Sequence, residues 1–347
     1  MTAYDDSLNP FRKLTVMTLS NAVVRRVIVS HASEWMYYHG CMSLELNLLH
    51  RISAIKSLRQ AIGSITAVQP ADGDSSGRLD HEVPLHPMET VLTAVLLQVA
   101  NSLFDGWSWS DTRLSCAFQV LCNLDLITHT PAHFISRFLV QRFAMLDLAN
   151  ALLRQSRLHL PLSCWLFKLG TSADEVEPRH QQMTGCPRGL VGLLAQICSL
   201  ADTLADGRCK ADVLMDASQL QEELHKYFSD ASTRRTVQVA DRHLNSLGEC
   251  WYWCAYLCLQ RCVLFLPTQS PEVQSSVACL IELLKSVPLR CLPGSKIFVP
   301  LCMAAREAIN PEDRSMLSKR NADMRIVYPS RIRDETMALI EERWVGT

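Results

Sequence analysis

Three proline-marked segments constrain the fold of this chain more than any other feature. In each of them a small polar residue precedes a proline and a long, largely helical pattern follows, at Thr130-Pro131, Ser270-Pro271 and Asn310-Pro311. A side chain of this type caps the free backbone N–H groups at a helix start, and proline at the first helical position has no N–H to lose. Each segment is therefore predicted to begin an α-helix.

The segments around these starts also follow the helical period. In Ala211–Phe228 the apolar residues recur every three or four positions, and they form one stripe made of Val213, Ala217, Leu220, Leu224 and Tyr227. No segment shows a convincing alternation of apolar and polar residues over the length of a strand. The sequence predicts an all-α fold of stacked antiparallel helix pairs, each about 35–45 residues long, as in an irregular α-solenoid.

Two polar stretches interrupt the helical pattern. Gln69–Pro87 contains glycine, proline and charged residues, and it is predicted to be a mobile surface loop over residues 69–87. Leu169–Gly185 is predicted to be a second connector. Because the helical pattern continues on both sides of each stretch, residues 1–347 are predicted to form one domain.

Composition limits the classes of protein to which the chain can belong. The sequence has 347 residues, of which 48% are hydrophobic, and it contains 14 cysteines. That cysteine content, about 4%, is below that of disulfide-rich secreted scaffolds, and the first ten residues contain no apolar signal segment. Reduced thiols in the nucleus or cytosol are therefore expected. The formal net charge of −1 and the scattered basic pairs argue against direct DNA binding by this chain.

A cysteine occupies every fourth position in one stretch, at Cys250, Cys254, Cys258 and Cys262. Residues four apart on an α-helix are separated by about 6 Å along the axis, so the first and last of these cysteines would be about 18 Å apart. A single zinc ion needs its four sulfur ligands within about 4 Å of each other, so it cannot bind all four of these cysteines. The interpretation that we favour is a buried line of small core residues.

The two most apolar segments that we considered as membrane spans are Thr90–Phe104 and Trp251–Leu266. Both contain polar residues and fall short of the roughly 18–20 apolar residues that a span requires. They are predicted to be buried core helices, and no membrane partner is expected.

The sequence lacks the common catalytic and cofactor-binding motifs, among them HExxH, GxSxG, the P-loop and GxGxxG. No two cysteines have the C-x-x-C spacing of zinc ribbons and redox sites. His81, Glu82 and His86 lie together, but within the predicted loop, and Asp5-Asp6 lacks the residues that follow in a terpenoid-synthase metal motif. The chain is therefore not predicted to be an enzyme, and no catalytic, cofactor-binding or metal-binding residue is assigned.

Three segments of the C-terminal half resemble the regulatory domain of fungal-specific transcription factors. They are a Gly-x-Pro segment followed by an apolar helix (Thr184–Ala201), an aromatic helix followed by Ser-Pro-Glu-Val (Glu249–Leu289), and an apolar helix followed by Pro-Glu-Asp-Arg (Phe298–Arg320). Two earlier segments, Ser43–Ser64 and His86–Trp107, look like the early helices of that family. The resemblance covers most of the chain.

The resemblance implies a nuclear transcriptional regulator that acts through protein contacts, in a metabolic or secondary-metabolite gene cluster. The expected partners are a DNA-bound transcription factor, a coregulator or a second copy of the chain. In this family the domain usually follows a binuclear zinc cluster, and this sequence contains no such cysteine pattern. Two alternatives stay open: the regulatory half of a longer zinc-cluster factor, and a helical enzyme or ligand-binding protein. Glu307 and Arg314 of the closing segment are expected to hold the terminal helices together.

Overall fold

The computed structural model describes residues 18–66, 90–98, 110–127, 134–167, 180–181, 184–207, 209–234 and 242–345. The regular elements within these ranges are all helical, and no strand occurs in them. The predicted all-α fold is therefore confirmed, while the solenoid-like stacking stays a prediction. The chain divides into two compact units, Met1–Phe143 and Ala144–Thr347, which are described separately below. One domain over residues 1–347 stays a prediction.

The helices are named in chain order. The first are α1 (Ala22–Tyr38), α2 (Leu44–Thr66), a short helical run at 90–98, α3 (Ser110–Asn123) and α4 (Phe134–Arg154). They are followed by α5 (Leu162–Phe167), α6 (Arg188–Ala205), α7 (Lys210–Arg234), α8 (Arg242–Cys258), a π turn (Leu259–Val263), α9 (Pro271–Ser286), a 3₁₀ turn (Pro293–Lys296), α10 (Phe298–Glu307), α11 (Pro311–Val327) and α12 (Arg331–Val345).

α1 and α2 form an antiparallel hairpin in the first unit. The chain reverses between them at Gly40, whose φ of 69° is a conformation that favours glycine. Arg26 Nη1 near the start of α1 donates to Ser57 Oγ in the second half of α2, at 2.9 Å. Ser33 Oγ further along α1 donates to Asn47 Oδ1 near the start of α2, at 3.0 Å. The hairpin closes over a small apolar core made of Val24, Val27, Ala54 and Ala94.

α6 is the interior helix of the second unit, where α5, α7, α8 and the π turn pack against it. Gly185 lies just before it with a φ of 82°, and a Cβ at this position would lie 2.7 Å from Leu247 Cδ2, so the backbone here requires glycine. Further along the chain, α8 packs on α9, α9 on α10, and α10 on both α11 and α12. The C-terminal helices therefore form a connected series of packed neighbours.

Two of the three predicted helix starts are confirmed with the expected cap chemistry. Ser270 Oγ accepts a hydrogen bond from the N–H of Val273 at 3.4 Å, and Pro271 is the first residue of α9. Asn310 Oδ1 accepts from the N–H of Glu312 at 2.9 Å at the start of α11. The third start, at Thr130-Pro131, lies outside the described residues.

The predicted helix at Ala211–Phe228 is confirmed as the greater part of α7, which begins one residue earlier and ends six residues later, at Arg234. Four members of its predicted apolar stripe are buried: Val213, Ala217, Leu220 and Leu224. The fifth, Tyr227, is half-buried. The helical period in the sequence therefore identified the side of α7 that packs.

The predicted helix through the four cysteines is correct only as far as Cys258. Leu259–Val263 forms a π turn, which is wider than an α-helical turn, so the assumption of α-helical spacing through Cys262 does not hold. Two contacts with later segments accompany this turn. Gln260 Nε2 donates to the carbonyl of Glu272 at 3.3 Å, and Arg261 Nε donates to Glu307 Oε2 at 2.7 Å.

One described helix, α6, is long and apolar enough to cross a membrane by length and composition alone. Neither Thr90–Phe104 nor Trp251–Leu266 overlaps it, so the sequence did not predict α6 as a candidate span. Half of α6 is buried inside the protein, and a core helix meets the same criteria as a span, so the finding is weak evidence for a membrane. The run at 90–98 is largely buried, as predicted for the segment that begins at Thr90.

Candidate functional site

The cysteine line in α8 is part of the core of the second unit. Cys250, Cys254 and Cys258 are buried, Cys262 is half-buried, and none of them forms a disulfide. Burial raises the pKa of the Cys254 thiol well above its usual value. A hydrogen bond with Cys198 of α6, together with burial, raises the pKa of Cys258. Because the thiolate is the reactive form of cysteine, these residues are built as inert core thiols, as the sequence predicted.

A buried carboxylate connects the π turn with the end of α10. Glu307 Oε2 accepts hydrogen bonds from Arg261 Nε at 2.7 Å and from Thr268 Oγ1 at 3.0 Å, while its Oε1 accepts from Arg306 Nε at 3.3 Å. Gln274 Nε2 of α9 donates to the backbone carbonyl of the same glutamate at 2.9 Å. The network fixes the π turn and the helices α9 and α10 relative to each other.

Arg314 of α11 connects the last three helices. Its Nε donates to the carbonyl of Ala308 at 2.9 Å, and its Nη1 donates to the carbonyl of Trp344 at 3.3 Å. The guanidinium also lies 5.5 Å from the centre of the Trp344 ring, within the range of a cation–π contact. Trp344 Nε1 in turn donates to the carbonyl of Ala305 in α10 at 3.1 Å.

An aromatic cluster joins α7 to α8. Phe228 stacks on Tyr252 with ring centres 4.4 Å apart, and the ring centres of Trp253 and Tyr256 lie 5.1 Å and 6.1 Å from that of Tyr252. Gln221 Nε2 donates to the Tyr256 hydroxyl at 3.0 Å. Burial raises the pKa of Tyr252 to about 12, so its ring is neutral at physiological pH. The cluster is a packing contact between two helices.

His180 is buried, and neither of its ring nitrogens has a hydrogen-bond partner among the residues that the structure describes. Burial, with a smaller contribution from the nearby cation Arg188, lowers its pKa to about 4. The imidazole is therefore neutral at physiological pH. A single buried histidine of this kind provides neither a metal site nor an acid–base pair.

More than half of the exposed large apolar side chains among the described residues belong to the α1–α2 hairpin of the first unit. Ten large apolar side chains of the two helices are exposed: Val29, Trp35, Met36, Tyr37, Tyr38, Leu44, Leu46, Leu48, Leu49 and Ile52. Singly scattered exposed apolar residues are normal, but a concentration of this kind marks an interaction surface. The arrangement suits the binding of a protein, and it offers no reacting groups.

The comparison with known families identifies the class of protein to which these features belong. The model of the fungal specific transcription factor domain matches residues 1–345, which is almost the entire chain. The chain belongs to this family. No curated protein and no solved structure matches it. The three C-terminal segments and the earlier helices that resembled this domain in the sequence therefore identified the family correctly, and the chain is a transcriptional regulator by family.

The domain contains no group of three or more His, Cys, Asp and Glu side chains placed to hold a metal within the described ranges. The loop candidates His81, Glu82 and His86, the pair Asp5-Asp6 and most of the predicted loops lie outside those ranges. Family membership indicates a regulator and not an enzyme.

Arg314 does hold the terminal helices together, through Ala308 and Trp344, whereas Glu307 joins the π turn, α9 and α10 in a separate cluster. The exposed apolar side chains of the hairpin were not predicted from the sequence. Part of the signal for them was Val29 and Met36 of α1, which lie seven residues apart on the side opposite the core residues Val24 and Val27.

Proposed function

We propose that this fungal transcription factor domain regulates transcription in the nucleus by binding other proteins. The observation that carries the proposal is the family match over residues 1–345. Two features support it: the exposed large apolar side chains of the α1–α2 hairpin, and a sequence without C-x-x-C cysteine pairs or a strongly basic segment. The proposed partner is a DNA-bound transcription factor or a coregulator, and the proposed targets are genes of a metabolic or secondary-metabolite cluster.

The experiment that tests the proposal is a tethering assay. The full chain is fused to an unrelated DNA-binding domain and directed to a reporter promoter, and the unfused DNA-binding domain serves as the control. The expected result is a change of reporter output of about tenfold or more, since recruitment by protein contacts does not need the chain's own DNA contacts. Unchanged output with a stably expressed fusion would contradict the proposal.

Deletion of the gene followed by transcript profiling identifies the targets. Altered transcripts in a group of neighbouring or functionally related genes are expected. An unaltered transcript profile, in a strain that normally expresses the protein, would assign the chain to another functional class.

A further inference from the structure

Arg333 is among the largest fully buried side chains of the second unit. It lies in the first turn of α12 and is 2% exposed. Its Nε and Nη2 atoms are buried, and neither has a hydrogen-bond partner among the residues that the structure describes. Arginine keeps its proton in proteins, so the buried group carries a positive charge. A buried charge that lacks hydrogen bonds is among the most costly groups in a protein interior.

The carboxylate beside this charge is shared with a second cation. Asp334 Oδ1 lies 3.8 Å from Arg333 Nη2, which is too long for a hydrogen bond. Asp334 Oδ2 lies 3.4 Å from Nε of Arg325, an exposed residue of α11. The positive charge of Arg325 also acts unfavourably on Arg333. One carboxylate therefore serves two guanidinium groups, and it offsets only part of the cost of burying Arg333.

Arg333 lies on the side of α12 that packs against the protein. Thr336, Met337 and Ile340 are also buried, and they follow Arg333 by three, four and seven residues, so they share its side of the helix. α12 packs on α10 and α11. The buried apolar side chains of this 15-residue helix are Ile332, Met337 and Ile340. Few buried apolar contacts mark an element that opens before the rest of a domain does.

The contact between α12 and α10 has a defined side on each helix. Arg333 interacts electrostatically with the thiol of Cys302 in α10, and Trp344 Nε1 donates to the carbonyl of Ala305 at 3.1 Å. Cys302 and Ala305 are three residues apart and therefore lie on the same side of α10. Both residues are buried. This is the side of α10 that faces α12.

The turn between α11 and α12 is fixed at a point outside these helices. The Tyr328 hydroxyl donates to the carbonyl of Leu289 at 3.0 Å, and Tyr328 immediately follows the last residue of α11. The other polar contacts of α12 are made by side chains of α11, such as Ser318 Oγ, which donates to Glu341 Oε1 at 2.6 Å. A movement of α12 would therefore turn about the segment at Tyr328.

We propose that α12 detaches from α10 as a unit under native conditions, turning about Tyr328, because detachment returns the Arg333 guanidinium to water. The open form uncovers the side of α10 that carries Cys302 and Ala305. A molecule that binds this uncovered side would shift the protein to the open form. Arg333 is thus a conformational device, and its action does not depend on the proposed function.

Amide hydrogen exchange of the full chain, followed by mass spectrometry of its peptides, measures the opening. In native protein the amides of α12 are expected to exchange at least about tenfold faster than those of α9, since local opening needs less free energy than unfolding of the whole unit. Exchange of α12 is also expected to depend less on added urea, because this dependence increases with the surface that is exposed.

Variants assign the opening to the buried charge. Arg333→Met keeps the length of the side chain and removes its charge, so it is expected to slow exchange of α12 by at least about tenfold. The control is Arg331→Met, which removes a 59% exposed cation two residues earlier and is expected to change the rate less than about fivefold. Asp334→Asn is expected to accelerate exchange of α12 by at least about tenfold, with Glu335→Gln, in the same exposed pair as Arg331, as its control.

Cys302 provides an independent measurement, because its thiol lies on the side of α10 that the opening uncovers. Cys302 and Cys254 are both buried. In native protein a small alkylating reagent is expected to label Cys302 at least about tenfold faster than Cys254, and Arg333→Met is expected to slow the labelling of Cys302. Peptide mass spectrometry measures both rates, and far-UV circular dichroism verifies that each variant is folded.

Three results would overturn the proposal. The first is exchange of α12 as slow as that of α9 in the wild-type protein. The second is an Arg333→Met variant whose α12 exchanges as fast as, or faster than, that of the wild type. The third is a rise in Tm with inorganic phosphate, relative to chloride at the same ionic strength, that Arg333→Met abolishes; Arg333 would then be an anion-binding residue.

Discussion

Replacement of Glu307 by alanine is expected to destabilise the second unit by about 3–5 kcal/mol. The carboxylate is buried and accepts hydrogen bonds from Arg261, Arg306 and Thr268. Its removal leaves two largely buried guanidinium groups without this counter-ion. The loss of one partner of a buried ion pair costs about 3–5 kcal/mol of stability. Arg261 is 26% exposed and Arg306 is 12% exposed, so solvent screens the two cations only in part.

The loss is measurable by urea unfolding of the full chain, followed by far-UV circular dichroism. For a folding unit of about 200 residues, a loss of about 3–5 kcal/mol corresponds to a fall in Tm of about 6–20 °C. Glu307→Gln keeps the shape and one acceptor but loses the charge, and about half of the effect is expected, since hydrogen bonds to a charged group are about twice as strong as neutral ones. The matched control is Glu282→Ala, which removes an exposed ion pair with Lys285 and is expected to change stability by less than about 1 kcal/mol.

A double-mutant cycle tests whether the ion pair between Arg261 and Glu307 causes this loss of stability. Arg261→Met and Glu307→Met are measured alone and together, and a coupling free energy of at least about 1.5 kcal/mol is expected because the double variant leaves neither charge unpaired. Free energies of unfolding that add to within about 0.5 kcal/mol would refute the reasoning. A Glu307→Ala variant as stable as Glu282→Ala would refute it as well.

Three further predictions concern other parts of the chain. Gly294→Ala is expected to destabilise the protein by about 2 kcal/mol or more, because the new Cβ would lie 2.1 Å from a backbone carbonyl oxygen. Gly63→Ala in α2 has open space around the new Cβ and is expected to stabilise the protein by about 0.5–1 kcal/mol. Urea unfolding measures both changes. Burial lowers the pKa of His180 from 6.5 to about 4, so between these pH values the unfolded chain binds more protons than the folded one. The free energy of unfolding is therefore expected to fall by up to about 3 kcal/mol as the pH is lowered through this range. His180→Gln is expected to flatten this pH dependence, and an unchanged slope would contradict the prediction. In native protein a thiol reagent is expected to modify exposed Cys41 rapidly and buried Cys254 only on unfolding, which peptide mass spectrometry after timed labelling would verify or disprove.

The features that could be predicted from the sequence are those that neighbouring residues determine. The caps at Ser270 and Asn310 depend on a side chain and an N–H two or three residues later, so the helix starts were correct. The packed side of α7 followed from the helical period. The family was recognised because its segments keep their order along the chain.

The features that were missed depend on residues far apart in the sequence. The π turn lies where Arg261 contacts Glu307, which is 46 residues later, and local propensity contains no information on that contact. The sequence shows that α1 is apolar on two sides, but only packing shows that Val24 is covered and Val29 is exposed. A periodic pattern therefore predicts a helix without stating which of its sides is a core and which is a surface.

The π turn also has a consequence for insertions and deletions in this chain. Such a turn accommodates one residue more than an α-helical turn, so deleting a single residue within Leu259–Val263 would leave a regular α-helix of normal geometry. Because the wider turn has already absorbed the extra residue, the residues after it would keep nearly the same orientation. Arg261 lies within the turn itself, so its side chain is the one whose direction would change, and its contact with Glu307 would be lost. A change of length at this position is therefore compatible with helical backbone geometry, but it would break the ion pair between Arg261 and Glu307.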